Sequence, residues 1–359
     1  MKKIAIVIGT RPNFIKVTQM KKVGAELGID VSIVHTGQHY DHNMATVFFD
    51  QFGLRPDHVL SLNERRPSQQ LGENIVALAN FFEELQPELV MVVGDVNSTL
   101  AGALAAQKAG FPISHLESGL RSLDRGMPEE INRILTDEIT DHFFVTEASG
   151  AKHLLAEGKQ EAAIHMVGNT MIDTMVAFED EIDASSILDD LSLTAERYAL
   201  MTFHRPALVD NEAGLKSLLQ LLTEISQFRS IVLPLHPRTK KRMEDFGLWL
   251  SFEGLKEVHL IEPIGYFEFQ KLIKCAKWVL TDSGGIQEET TFRQLPCITL
   301  RPNTERPITI DLGTNVLAEI DEVIGHVKSI EAGTFKSGEV PPMWDGQATR
   351  RVLEIIRSL

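Results

Sequence analysis

Four acidic side chains stand where short apolar runs give way to polar sequence: Asp95 in "LVMVVGDVNST", Glu117 in "FPISHLESGLRS", and Glu129 with Glu130 in "GMPEEINR". Carboxylates at several separate strand or loop ends suit general acid–base chemistry, in which one group removes a proton and another returns one. Basic side chains follow the same distribution. Arg11 and Lys16 come after the first apolar run, Arg121 and Arg133 lie near the carboxylates, and His204 with Arg205 and His236 with Arg238 close two later runs. Together they outline an anion site. The sharpest local signal is "TDSGGIQEET", in which Ser283, Gly284 and Gly285 join an apolar run to a helix carrying Glu288 and Glu289. Glycines let a phosphate approach the backbone, the helix start supplies N–H donors, and an acid accepts from ribose hydroxyls. Neither GxGxxG nor GxxxxGK[ST] occurs, so nicotinamide and P-loop nucleotide chemistry lack their fingerprints. The expected ligand is a nucleotide held by its diphosphate.

Each residue also has an ordinary reading. Asp95 alone suits a turn or helix cap, Asn97 or Ser98 suits the cap of the helix that follows, and Pro128 with two glutamates makes a good helix start. Those roles cover one glutamate but not Asp95 and Glu117 together.

The elements that must position these residues alternate along the chain. "KKIAIVIGT", "VSIVHTG", "ELVMVVGD", "FPISHLE" and "DHFFVTE" read as strands separated by helical sequence, the pattern of a parallel sheet with crossover helices. After the acidic segment "VAFEDEIDASSILDDLSLTAER", which reads as a linker containing a helix, the pattern repeats. Its strands are "RYALMTFHR", "SIVLPLHPR", "EVHLIEP", "WVLTDSGG" and "PCITLRP". The fold class is therefore α/β, with two doubly wound Rossmann-like domains facing a cleft at the carboxyl ends of both sheets. At 359 residues the chain exceeds one ordinary core. The expected division is 1–175 for the domain carrying the carboxylates, 190–345 for the nucleotide-binding domain, and 346–359 for an amphipathic C-terminal helix able to pack back on the first.

A formal charge of -15 repels nucleic acid and anionic membranes at long range, so neither is an expected partner. No apolar stretch reaches membrane-spanning length and the N-terminus lacks a cleavage site, which predicts a cytoplasmic protein. Cys275 and Cys297 sit in apolar sequence and read as reduced core thiols. The twelve histidines are scattered, with no HExxH or close Cys/His set, so no metal is expected.

Taken in order, "GTRPNFIK", "TGQH", "GDVNSTLAGALAA", "HLESGLRS", "MPEEINR", "GNTMID", "TDSGGIQEE", "TERP" and "DGQA" resemble the non-hydrolysing UDP-N-acetylglucosamine 2-epimerases over nearly the whole chain. The resemblance implies a glycosyltransferase type B (GT-B) like fold, a UDP-sugar substrate, commonly a homodimer, and no cofactor. It implies inversion at C2 of the sugar by loss of UDP to 2-acetamidoglucal and its re-addition. By motif match, Asp95, Glu117 and Glu129 are the acid and base candidates, with Glu130 the less favoured of its pair. Arg11, Lys16, Arg133 and His204 match cationic positions, with His204 also placed among the catalytic residues. Ser283, Gly284 and Gly285 resemble the diphosphate loop, Glu289 the ribose ligand, and Arg306 a further nucleotide contact.

Three stretches depart from the family. "PALVDN" follows His204-Arg205 where many relatives have Arg-Glu-Asn, and Ile308 follows "TERP" where Glu is common. Several relatives are activated by a second UDP-GlcNAc near "TGQH"; Gln38 fits, but "YDHNMATVFF" differs, which argues against such activation. Rival readings are an epimerase for a modified UDP-sugar such as a diacetamido-uronate, a hydrolysing relative, a GT-B glycosyltransferase and a silent nucleotide-sugar binder. Retention of all four carboxylates argues against the last.

Overall fold

The computed structural model describes residues 1–37, 49–60 and 66–359. Two compact units emerge: Met1–Ala177 together with Pro342–Leu359, and Phe178–Pro341.

In the first unit the strands are β1 (Lys2–Ile8), β2 (Ile29–His35), β3 (His58–Val59), β4 (Leu89–Val93), β5 (Ile113–Leu116), β6 (His142–Val145) and β7 (Ile164–Met166). They form one parallel sheet in the order β3-β2-β1-β4-β5-β6-β7. Residues 4–8 of β1 and all of β4 are buried, because helices cover both faces of a parallel sheet and leave no side for polar residues. Burying each such valine or isoleucine contributes roughly 1.5–3 kcal/mol. The chain winds outward from β1 through β2 to β3, then returns to start β4 on the other side of β1. The strand order therefore reverses between β1 and β4, and the loops leaving those two strands diverge to open a crevice.

The second unit repeats this logic with β8 (Tyr198–Thr202), β9 (Ser230–Pro234), β10 (Val258–Ile261), β11 (Trp278–Thr281), β12 (Cys297–Leu300) and β13 (Asn315–Ala318). Its parallel order is β10-β9-β8-β11-β12-β13, so the reversal falls between β8 and β11. The ten strands read from sequence are all present. Three were not read: β3, β7 and β13, edge strands of two, three and four residues.

The acidic segment is folded onto the second unit. It forms the helices Glu179–Asp183 and Ile187–Asp190, and Glu179 binds Arg293 and Lys274. The C-terminal helix Ala348–Ser358 belongs to the first unit, where it buries Val352, Leu353 and Ile356. Its first amides, Ala348 and Thr349, donate to the Asp173 carboxylate at 3.1 and 2.5 Å, satisfying N–H groups that no helical carbonyl reaches. Both cysteines are free thiols, and burial pushes Cys297 up to about 11. Among the described residues, no helix is long and apolar enough to cross a membrane.

Candidate active site

The reversal point of the first sheet gathers most of the predicted charged residues. Gly94 leaves β4 with φ +66°, a left-handed conformation that favours glycine. A β-carbon there would lie 3.0 Å from Asn13 Nδ2, 3.5 Å from Lys16 Nζ and 3.7 Å from Glu117 Oε2, so polar groups from two other loops converge on it. Asn13 ties the loops together, donating to Val93 O at 3.1 Å and accepting from Thr10 Oγ1 at 3.0 Å.

Asp95 does not cap the helix it precedes. The helix Asn97–Ala109 starts after Val96 without a side-chain cap, which also corrects the capping expected of Asn97 or Ser98. Asn97 instead accepts from Asn132 at 3.2 Å, and Ser98 bonds Thr36 at 2.6 Å. The Asp95 carboxylate accepts from Arg133 Nε and Nη2 at 3.0 and 2.8 Å and remains 27% exposed. It is thus charge-balanced and reachable. Glu117 follows β5 with φ +70°, a strained conformation for a residue with a side chain, of a kind concentrated at functional sites. Its carboxylate pairs with Lys16, and both groups are almost wholly buried.

Structure separates the adjacent glutamates. Glu130 is buried, accepting from Ser122 N and Oγ at 2.9 and 3.0 Å and from Leu123 N at 3.0 Å, besides pairing with Arg133. Both its oxygens are engaged in holding the 122–123 loop. Glu129, one turn position away, is exposed and makes no hydrogen bond or ion pair with the described residues. Arg11 is exposed at the start of the helix Arg11–Ile15. Gln38 lies outside the described residues.

At the reversal point of the second sheet, Asp282 leaves β11 and organises the loop leaving β8. One carboxylate oxygen accepts from the His204 and Arg205 amides at 2.9 and 2.8 Å, and the other lies 2.8 Å from His204 Nδ1. Burial would raise the Asp282 carboxyl, but the hydrogen bond and charge of His204 and the two amides outweigh it and hold the group below the ordinary range. With Nδ1 occupied, His204 presents Nε2 outward on a side chain 44% exposed. His236 lies nearby with its ring tilted by 39°, 6.1 Å between ring centroids, and its Nδ1 accepts from the Arg238 amide at 3.2 Å.

Ser283, Gly284 and Gly285 follow as the start of the helix Gly284–Phe292, which has no side-chain cap, leaving its first amides for an anion. Glu288 and Glu289 fall in its second turn rather than its first, so complementing the helix dipole does not explain them. Arg306 lies behind the loop, its Nε 2.7 Å from Glu288 and its other branch paired with Glu305. A β-carbon at Gly284 would come 2.9 Å from both Arg306 Nη1 and Glu305 Oε1, so any other residue must shift this buried network. Burial pushes Glu289 up to about 7, with Gln270 and Arg293 acting in the opposite direction and Glu288 in the same one.

Two buried residues of these clusters were missed, Asp282 and Asp137, and a third, His115, stood out beside Glu117 at the end of "FPISHLE" without an assigned role. Asp282 had a signal, standing at a strand end directly before Ser-Gly-Gly. Asp137 had none, since it lies inside a helix.

Two doubly wound parallel sheets with acid–cation pairs at one reversal point and an open glycine loop at the other define a GT-B-like α/β protein. Residues 21–357 match the family described as UDP-N-acetylglucosamine 2-epimerase. The UDP-N-acetylglucosamine 2-epimerase of Methanocaldococcus jannaschii is 38% identical, over 99% of this chain and 98% of that protein. The UDP-2,3-diacetamido-2,3-dideoxy-D-glucuronate 2-epimerase of Pseudomonas aeruginosa is also 38% identical, over 99% of this chain and 100% of that protein. The crystal structure of the M. jannaschii enzyme in complex with UDP-GlcNAc and UDP superposes with a TM-score of 0.90, at 36% identity, covering 99% of this chain and 100% of that one. The chain therefore belongs to the UDP-N-acetylglucosamine 2-epimerase family, and it is an isomerase.

Proposed function

We propose that the chain interconverts UDP-GlcNAc and UDP-ManNAc through 2-acetamidoglucal. A carboxylate removes the C2 proton, the C1–oxygen bond to the diphosphate breaks with UDP leaving, and C1 and C2 become doubly bonded. UDP then re-adds to C1 while a second acid delivers a proton to the opposite face of C2. The observation carrying this reading is that Asp95 and Glu117, from two neighbouring strand ends, are each held by their own cation at the sheet reversal. With Glu129 they supply the acid and base. Lys16, Arg133, Arg11 and His204 are assigned to stabilising the departing diphosphate. Ser283, Gly284 and Gly285 are assigned to binding it, Glu289 to the ribose, and Arg306 to supporting the loop from behind.

NMR of the protein with UDP-GlcNAc in D₂O tests the proposal. Formation of UDP-ManNAc with deuterium at C2 is expected; free UDP with free sugar, or an unlabelled product, would overturn it.

A second reading, epimerisation of a UDP-diacetamido-glucuronate, has one observation in its favour: the relative so named in P. aeruginosa has the same 38% identity to this chain as the one from M. jannaschii. The ratio of kcat/KM for the two substrates decides between them. A preference of about a hundredfold corresponds to ~2.7 kcal/mol of differential transition-state binding.

A further inference from the structure

We propose that His115 and Asp137 are positioning residues that fix the turns carrying Asp95 and Glu117 relative to one another and to the helix carrying Glu129. The proposal rests on the epimerase reading above.

His115 lies inside β5 and is completely buried. Its Nε2 is 2.7 Å from the carbonyl oxygen of Gly94, the residue directly before Asp95. Its Nδ1 is 2.6 Å from Asp137 Oδ1. A peptide carbonyl cannot donate, and the Asp137 carboxylate already accepts on its other oxygen from the Gly119 amide at 3.1 Å, with Arg121 Nη2 at 2.7 Å. Both ring nitrogens are within hydrogen-bond distance of their partners, which clamps the imidazole between the Gly94 turn and Asp137. Gly119 is two residues beyond Glu117, so one carboxylate holds the Asp95 turn through His115 and the Glu117 turn directly.

Asp137 occupies the last turn of the helix Pro128–Glu138, the same helix that presents Glu129 and Arg133. All three candidate acid–base residues are thus referred to one buried carboxyl group. Arg121 extends the chain outward, donating to Glu157 at 2.9 and 2.7 Å. Burial alone would raise the Asp137 carboxyl; the charge and hydrogen bond of His115, followed by those of Arg121, hold it below the ordinary range. The turns themselves need such restraint. Gly94 and Gly119 adopt left-handed φ values of +66° and +76°, and Glu117 between them is strained at +70°.

Two substitutions separate positioning from packing. In His115→Gln the terminal amide nitrogen takes the place of Nε2 and still reaches Gly94. In His115→Asn the amide nitrogen takes the place of Nδ1, keeps Asp137 and abandons Gly94. Both remove the ring, so a purely structural role moves both alike. Asn is expected to lower kcat on the order of 10²-fold with KM and UDP affinity within about twofold, and Gln to lower kcat roughly tenfold or less. Equal kcat in the two variants, or a rise in KM at unchanged kcat, overturns the proposal. Should Asn fail to fold, Asp137→Asn serves: kcat is expected to fall about tenfold at constant KM, and an unchanged kcat sinks the idea. C2 deuterium exchange by the wild type is measured first. Its absence defeats the epimerase reading and this proposal together, whereas exchange at equal rates in both His115 variants defeats this proposal alone.

Discussion

The two units use the same sheet geometry to build opposite electrostatic environments. At the reversal between β1 and β4, the side chains come as opposed charges: Lys16 with Glu117, and Arg133 with Asp95 and Glu130. At the reversal between β8 and β11, backbone amides stand open at the start of Gly284–Phe292 and the buried charges lie behind the loop. A reversal point offers space and diverging loops but no chemistry of its own. A paired cation favours the ionised form of a buried carboxylate, the form that accepts a proton. Open amides suit an anion that must come and go.

The comparison predicts that substitutions in the first unit affect turnover and those in the second affect binding. The largest effect is expected from Asp95→Asn, Glu117→Gln and Glu129→Gln, each lowering kcat by roughly 10²–10⁴-fold while UDP affinity, measured by calorimetry, stays near wild type. Normal turnover in all three would break the assignment. Next, Lys16→Met removes the cation paired with the buried Glu117 carboxylate and is expected to destabilise the fold by about 3–5 kcal/mol in denaturant unfolding. A smaller loss would mean that water or another cation compensates.

In the second unit, Glu289→Gln is expected to weaken UDP binding and to alter the pH dependence of stability. The folded-state value of about 7 lies above the ordinary glutamate range, so the native protein binds the extra proton. The stability it contributes is full below about pH 4.3 and is lost as pH rises through 7. Gln removes that loss, so at pH 8 the variant should be more stable by on the order of 3–4 kcal/mol. Thermal melts at pH 5 and 8 check the sign. The smallest effect is expected at Gly284→Ala, whose added carbon must displace Arg306 or Glu305. UDP affinity should fall about tenfold, ~1.4 kcal/mol, with kcat at saturation unchanged. A fall in kcat there would erase the division between the two regions.

Much of this was legible because parallel strands buried on both faces must be continuous apolar runs, and their ends stand out as the first polar residues that follow. That is why Asp95, Glu117, His204 and Ser283 could be placed without coordinates. Edge strands β3 and β7 have only two and three residues and carry little pattern. The adjacent Glu129 and Glu130 share one helix start, and residue type alone did not separate them. Tertiary structure turned one toward the 122–123 loop and left the other exposed, because successive helix positions point about 100° apart.

The sequence by itself determined two doubly wound sheets, the strand ends where polar groups collect, and the family to which the chain belongs. Only the tertiary structure decided the pairings: Lys16 with Glu117 across 101 residues, Arg133 with Asp95 across 38, and His115 with Asp137 across 22. Local sequence sets which groups a strand end offers. The fold sets which of those groups meet: Lys16 and Glu117 follow β1 and β5, which β4 separates in the sheet, and they converge beside the turn at Gly94 that leaves β4.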